Sequence, residues 1–296
     1  MALAYFMALL SPFAYSISTI ADSYLTNKGF RSTAAIVFYS VPVNLLLLPL
    51  MFFFAPVGMP PAGAWPSLLL IGFVGAAYFF PYFAALRKLD ISIINSLLAV
   101  GKIIVPLFAY FYIGERLSPV QYVGFLLIIS ASVALCFDRK KLTINPALWL
   151  MFLCSASFAF VDVLQKDVVE NTNWATLAFW VVALENAWAM LLLLHGRSRR
   201  RIVASAPRFL KNLPVIALTC VLTFAGVVMQ DFSISVFPVT VDEAMHSTQP
   251  FWTLLFGVIL FRVFKKKFKE KTDVGSVVKK AVCFAVMLIG IIMTTV

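Results

Sequence analysis

From Ser32 to Leu86 the chain carries no Asp, Glu, Lys or Arg. A globular surface cannot be built from such a run, because charged side chains make up about 25% of an ordinary soluble domain. The run is long enough for two bilayer crossings of roughly 20 residues each. The turn "PVGMPPAG" at 56–63 divides it where the two would meet. The rest of the sequence agrees: of 296 residues, 62% are hydrophobic and 12% charged, and the mean hydropathy is +0.95. The solvent for this chain is lipid.

Apolar runs bounded by charge, Pro or Gly predict ten transmembrane helices. They fall near 2–25, 33–55, 65–87, 91–113, 119–137, 147–169, 174–194, 212–234, 238–262 and 274–295. These lengths match a ~30 Å hydrocarbon core at about 1.5 Å per residue. Transmembrane β-strands are shorter and alternate, so the expected fold class is an all-α polytopic membrane protein. The first run has no basic leader or small-residue cleavage site and is read as a retained helix. Cys136, Cys154, Cys220 and Cys283 lie inside apolar spans without CxxC spacing and read as inert buried thiols.

The net charge of +11 would suit a nucleic-acid partner, but its placement argues against one. Loops after odd-numbered helices hold Lys28, Arg31, Arg87, Lys88, Arg139, Lys140, Lys141, Arg197, Arg199, Arg200, Arg201, Arg208 and Lys211, then "RVFKKKFKEK" and Lys279–Lys280. Loops after even-numbered helices offer Arg116, with Lys166 near the end of the sixth helix. The positive-inside rule produces this asymmetry, so the basic loops are expected in the cytoplasm and both termini outside an inner (cell) membrane. Anionic lipid headgroups are a second use for the same basic surface.

The halves repeat. "LDISIINSLLAVGKIIVPLFAYFYIGER" (89–116) aligns without a gap with "FPVTVDEAMHSTQPFWTLLFGVILFRVF" (237–264), and "VGFLLIIS" shares its rhythm with "VCFAVMLIG". A five-helix unit repeated in tandem must cross the membrane the other way up. The expected organisation is therefore two inverted five-helix repeats, residues 1–140 and 145–296, with a solute site between them near the midplane.

At this point the sequence resembles the drug/metabolite transporter superfamily, in its ten-helix EamA-type branch, over nearly the whole chain. The most specific piece is "FYIGERLSPVQYVGFLLIISA" (111–131), in which Gly114, Glu115, Arg116 and Gly124 match the family's fourth-helix ending and fifth-helix start. Pro250 fits the proline placed about 13 residues before that Glu position in the second half. Two departures stand out. Lys102 occupies the first-half position equivalent to Pro250, and Val263 the second-half position equivalent to Glu115. Gly114, Glu115, Gly124 and Pro250 are accordingly read as a structural motif, with Glu115 capping a helix junction. The resemblance implies a cavity built by helices one, three, four, six, eight and nine. It makes Glu185, midway along the seventh, a gate or lateral element.

Charged side chains inside a bilayer cost about 2.5–3.5 kcal/mol each on insertion scales, so they need a partner, a wet cavity or a function. "VDEAMHSTQP" (241–250) concentrates such residues. Asp242, His246 and Gln249 share one helical face, descending toward the midplane. Asp242 and Glu243 alternatively cap the helix start. Pro250 removes a backbone donor and frees a carbonyl one turn back, as in broken transporter helices.

Lys102 sits about twelve residues into the fourth helix, on one face with Asn95 and Pro106. It either pairs with a carboxylate on a neighbouring helix or meets an anionic group of the solute. Asp162 either forms an i,i+4 pair with Lys166 or faces the cavity. Gln230 aligns with Tyr82, so both are expected to look into the same space, and Trp252 is a candidate wall. Asp231, Asp242, Glu243 and Glu185 are proton-coupling candidates, and Asp22 is expected at the interface.

The chain has no Walker loop, clustered metal site, HExxH, GxSxG or selectivity-filter motif, so neither an enzyme nor an ATP-driven pump nor a cation channel is expected, and no cofactor or metal. The expected activity is secondary transport by alternating access. The cargo would be a small polar or zwitterionic metabolite such as an amino acid, with export favoured over uptake and proton coupling as one drive. A lipid or lipid-linked-sugar translocase is the alternative, and a non-transporting interaction factor the third. Expected partners are a small-molecule substrate and the bilayer, with no nucleic acid; a homodimer is compatible with this picture.

Overall fold

The computed structural model describes residues 1–89, 91, 94, 98, 102–136, 146–253, 255–256 and 274–295. Among them the structure is helical, with no strand. α1 is Ala2–Tyr24, running on through a π-helical turn at Leu25–Gly29. α2 is Thr33–Leu47, extended through Phe54. α3 is Trp65–Leu86, and α4 is Val105–Tyr112, entered through the 3-10 turn Lys102–Ile104. α5 is Pro119–Cys136, α6 Pro146–Glu170 and α7 Trp174–Met190. After a short basic helix, Gly196–Ala204, come α8 (Ala206–Val236), α9 (Val239–His246) and α10 (Val274–Thr295). Asn95, Arg139–Lys141, Val263 and the "RVFKKKFKEK" segment lie outside the described residues, so the expected spans 91–113 and 238–262 are described in part.

Among the described residues five stretches are long and apolar enough to cross a membrane: Ala2–Gly29, Thr33–Phe54, Ala62–Leu86, Trp174–Leu193 and Ala206–Val236. Outward side chains on these and on other described segments point to the same solvent. Phe53, Phe111 and Leu194 are each exposed over 80% or more of their surface, which only acyl chains tolerate at this density. The chain is a helical membrane protein.

Lipid is as apolar as leucine, so helices here associate through close packing and hydrogen bonds. α5 and α10 meet where Gly124 and Gly290 face each other; a Cβ on either would stand 2.7 Å from the other's carbonyl oxygen. α1 and α8 are joined by Ser11 Oγ donating to Gly226 O at 2.9 Å and by a hydroxyl–hydroxyl hydrogen bond between Ser18 and Thr223 at 2.8 Å.

The helix contacts come in mates. α1 packs on α8, and α6 on α3; α7 packs on α3, and α2 on α8; α6 packs on α4, and α1 on α9. Adding five to, or subtracting five from, each helix number turns the first of every pair into the second. α5 with α10 and α2 with α7 are their own mates.

The described basic loops gather at one end. Arg87 donates to Arg31 O (2.8 Å), Asn27 to Leu86 O (3.2 Å), and Tyr39 to Ile202 O of the short basic helix (2.9 Å). At the opposite end Asn173 donates to Pro56 O (3.1 Å), and Lys166 to Ile234 O and Phe237 O, where α8 finishes (3.0 and 3.1 Å).

Candidate functional site

The site begins with a glycine. α4 ends in a six-to-one bond from Glu115 N to Ala109 O (3.1 Å), around Gly114 at φ +71°. Only glycine adopts that left-handed backbone without penalty. The turn delivers Glu115 to the start of α9, where its carboxylate accepts from Val239 N (2.7 Å) and Thr240 N (3.1 Å). Pro238, at the N-cap of α9, offers no side-chain cap of its own. A carboxylate from the first half of the chain therefore satisfies the free amides of a helix in the second, with favourable charge for the helix dipole.

Because Glu115 caps α9, Asp242 and Glu243 do not. Both are fully buried. Ser233 Oγ donates to Asp242 Oδ1. Glu243 takes Lys102 Nζ at 2.5 Å and Gln230 Nε2 at 3.2 Å. His246 Nδ1 lies 3.4 Å from carboxylate oxygens of both acids, and Tyr15 donates to Gln230 Oε1 at 3.1 Å. One polar network thus runs Tyr15–Gln230–Glu243–Lys102, with His246, Asp242 and Ser233 attached. Of the two fates open to Lys102 in the sequence, the ion pair is present, and part of its side chain (19%) still meets the cavity.

α9 stops at His246, and Ser247 and Thr248 form a turn before Gln249 and Pro250 resume helical backbone. Pro250 has no N–H to extend the ladder. Carbonyls at the break are met from other helices: Ser132 of α5 donates to Ser247 O (2.5 Å) and Ser16 of α1 to Gln249 O (2.9 Å). Irregular backbone at membrane depth persists where neighbours satisfy it in this way. At the equivalent first-half position, Lys102 opens a 3-10 turn that leads into α4.

These elements surround a cavity of about 210 Å³. One water needs roughly 10–15 Å³ of such space, so the cavity holds many. Tyr82, Lys102, Asp162, Glu185, Gln230, Asp231, Glu243, His246 and Gln249 line it. Asp242 stands behind this wall. Trp252 lies outside the lining, packed edge-on against Phe13 at 5.3 Å. Lys166 pairs with Glu170 (3.5 Å) and the end of α8, leaving Asp162 without it. Glu185, expected at a gate or flank, reaches the central cavity from α7.

Asp22 corrects an expectation. It is 6% exposed, accepts from Tyr82 Oη at 3.3 Å and lines the cavity. Tyr15, Ser18 and Thr19 of α1, Ser155 of α6 and Thr223 of α8 line it too and were missed. The signal was available: positions 15, 18, 19 and 22 share one helical face.

Asp242, Glu243 and His246 each place one ligand-type atom within 4.8 Å of the others. Lys102 already holds the cation position beside Glu243, so a metal would have to displace it.

The fold and cavity define a class: a polytopic helical membrane protein with a chamber, lined by polar side chains and large enough for many waters, shared between the two halves of the chain. Residues 2–137 match the EamA-like transporter family. Over that segment the chain is similar to the family, as the sequence resemblance implied, and the family's members are transporters, not enzymes. Two curated relatives are the pseudopaline exporter CntI of Pseudomonas aeruginosa strains UCBPP-PA14 and PAO1, each 24% identical over 181 residues, covering 60% of this chain and 62% of the relative. The chain thus spans about three fifths of the length of the curated relatives it matches. A solved crystal structure, described only as that of a protein, shares the fold with a TM-score of 0.65 at 17% identity, over 99% of this chain and 95% of the other.

Proposed function

We propose that the chain is a secondary transporter that exports a small zwitterionic metabolite, such as an amino acid, by alternating access between two inverted five-helix repeats, 1–140 and 145–296. The observation that carries the reading is the Lys102–Glu243 pair, a cation and an anion from opposite halves on the wall of one wet cavity. A zwitterion brings the complementary charges and competes for both partners.

The mated helix contacts support the repeat, since a two-fold exchange of the halves produces such mates. The 3-10 turn at Lys102 and the break before Pro250 support a midplane site, because broken helices bind solutes in inverted-repeat transporters. The gathering of basic loops at one end supports a cytoplasmic face there, with the termini outside an inner membrane. The relatives named as pseudopaline exporters favour export of a small metabolite over uptake. Asp231, Asp242, Glu243 and His246 would exchange protons with the cavity and couple flux to a proton gradient.

The test is flux. Purified protein in liposomes should move at least one labelled amino acid down its gradient, faster with an opposing proton gradient, and Lys102→Ala should abolish it. Absence of flux for every solute, with and without a pH gradient, contradicts the reading. Movement of fluorescent lipid instead would favour a lipid translocase.

A further inference from the structure

A second cavity, of about 70 Å³, adjoins the first. It is bounded by Ser40 and Asn44 of α2 and by Thr219 of α8, toward the end where the basic loops gather. Asp22, Phe79, Glu185, Thr223 and Val227 line both cavities and so form the neck between them. Glu185 reaches this place because α3 carries Gly75 opposite it; a Cβ there would coincide with the Glu185 carboxyl.

The charges along this path are lopsided. Five carboxyl groups line the cavities among the described residues: Asp22, Asp162, Glu185, Asp231 and Glu243. Lys102 is the one lysine or arginine among those lining residues, and Glu243 holds it at 2.5 Å. Asp162, Glu185 and Asp231 pair with no cation among the described residues. Asp231 is 1% exposed, and its Oδ2 has no hydrogen-bond partner. A buried carboxylate without a counter-charge is expensive, so such a group either holds a proton or meets a cation supplied from elsewhere. A cavity walled by one sign of charge concentrates solutes of the other.

We propose that the two cavities form one path for amine-bearing cations, solutes with more ammonium than carboxylate groups such as dibasic amino acids or polyamines. Asp231 receives an ammonium in the central cavity, and Asp22 with Glu185 passes it through the neck. Lys102 remains available for a carboxylate when the solute has one, in exchange with Glu243. The assignment rests on the transport reading and shifts its substrate class from balanced zwitterions to solutes with net positive charge.

The test uses the full chain in liposomes with labelled lysine, putrescine, leucine and glutamate. Lysine or putrescine flux should exceed that of leucine and glutamate by roughly tenfold or more, as expected when a charged hydrogen-bonding partner is matched or absent. Asp22→Asn and Glu185→Gln should each lower cation flux by a similar factor. Glu185→Asp should retain most of it, and thermal unfolding of each variant separates a gating loss from a folding loss. Putrescine should raise the unfolding temperature of the wild type and less that of Asp231→Asn. Equal or greater flux of leucine or glutamate overturns the cation assignment and leaves a transporter standing. So does unchanged cation preference in both neck variants. Absence of flux for all four together with every other metabolite overturns both readings.

Discussion

Lys102 Nζ and Glu243 Oε2 stand 2.5 Å apart across the two halves of the chain. Glu243 also has His246 of its own helix at 3.4 Å, whereas Lys102 pairs with Glu243 alone among the described residues. Removing one member of such a pair strands the other in a low-dielectric wall, at a cost of about 3–5 kcal/mol. Lys102→Met and Glu243→Gln should each lower the unfolding temperature in detergent clearly. The double variant should be less destabilised than the sum of the two. Additive losses in that cycle would show that the two charges do not depend on each other.

The Glu115 carboxylate is the cap of α9, accepting two amides that Pro238 leaves unmet. Glu115→Ala should destabilise the protein by about 1 kcal/mol or more, within the usual range for a lost cap. Glu115→Gln, which keeps one acceptor oxygen, should lose less. Identical unfolding temperatures for all three proteins would remove the cap from the account.

Gly290 has no room for a side chain: a Cβ would meet Gly124 O at 2.7 Å and Ile128 Cγ1 at 2.7 Å. Gly290→Val should force α5 from α10 and cost roughly 1–3 kcal/mol, the usual range for overpacking. Thermal unfolding reads the effect, and an unaltered melt would mean the two helices do not approach this closely.

His246 sits between two acids and the cavity, 3.4 Å from each carboxylate. In the proton-coupled reading, His246→Gln should keep gradient-driven exchange of solute while losing its response to an imposed pH gradient. Full retention of that response would assign the coupling elsewhere.

Much of this was readable from the chain, for identifiable reasons. The uncharged run from Ser32 to Leu86 announced lipid as solvent, because helix length and hydropathy are local properties. The "IGER" turn was legible through its resemblance to the family's fourth-helix ending, while the left-handed Gly114 and the reach of Glu115 to α9 were visible only in three dimensions. Which buried acid would meet Lys102 was undetermined, since pairings between distant helices leave no periodic trace. Asp22 was misplaced for a related reason. Depth was judged by distance from the helix end, whereas α1 continues through Leu25–Gly29 and buries it. Trp252 was a candidate wall by residue type with helix packing as the alternative, and its ring packs on Phe13 outside the cavity lining.

The central claim is that polar residues at membrane depth face water that a solute crosses. Ser155, on the cavity wall, and Leu126, 56% exposed on the outer surface of α5, distinguish wet from lipid-facing positions. Each would be replaced by cysteine in a chain whose native cysteines are alanine, and treated with a membrane-impermeant, charged thiol reagent. The account predicts that Ser155→Cys is modified, that a transported solute protects it, and that Leu126→Cys stays unreactive. Equal inertness at both positions would contradict it.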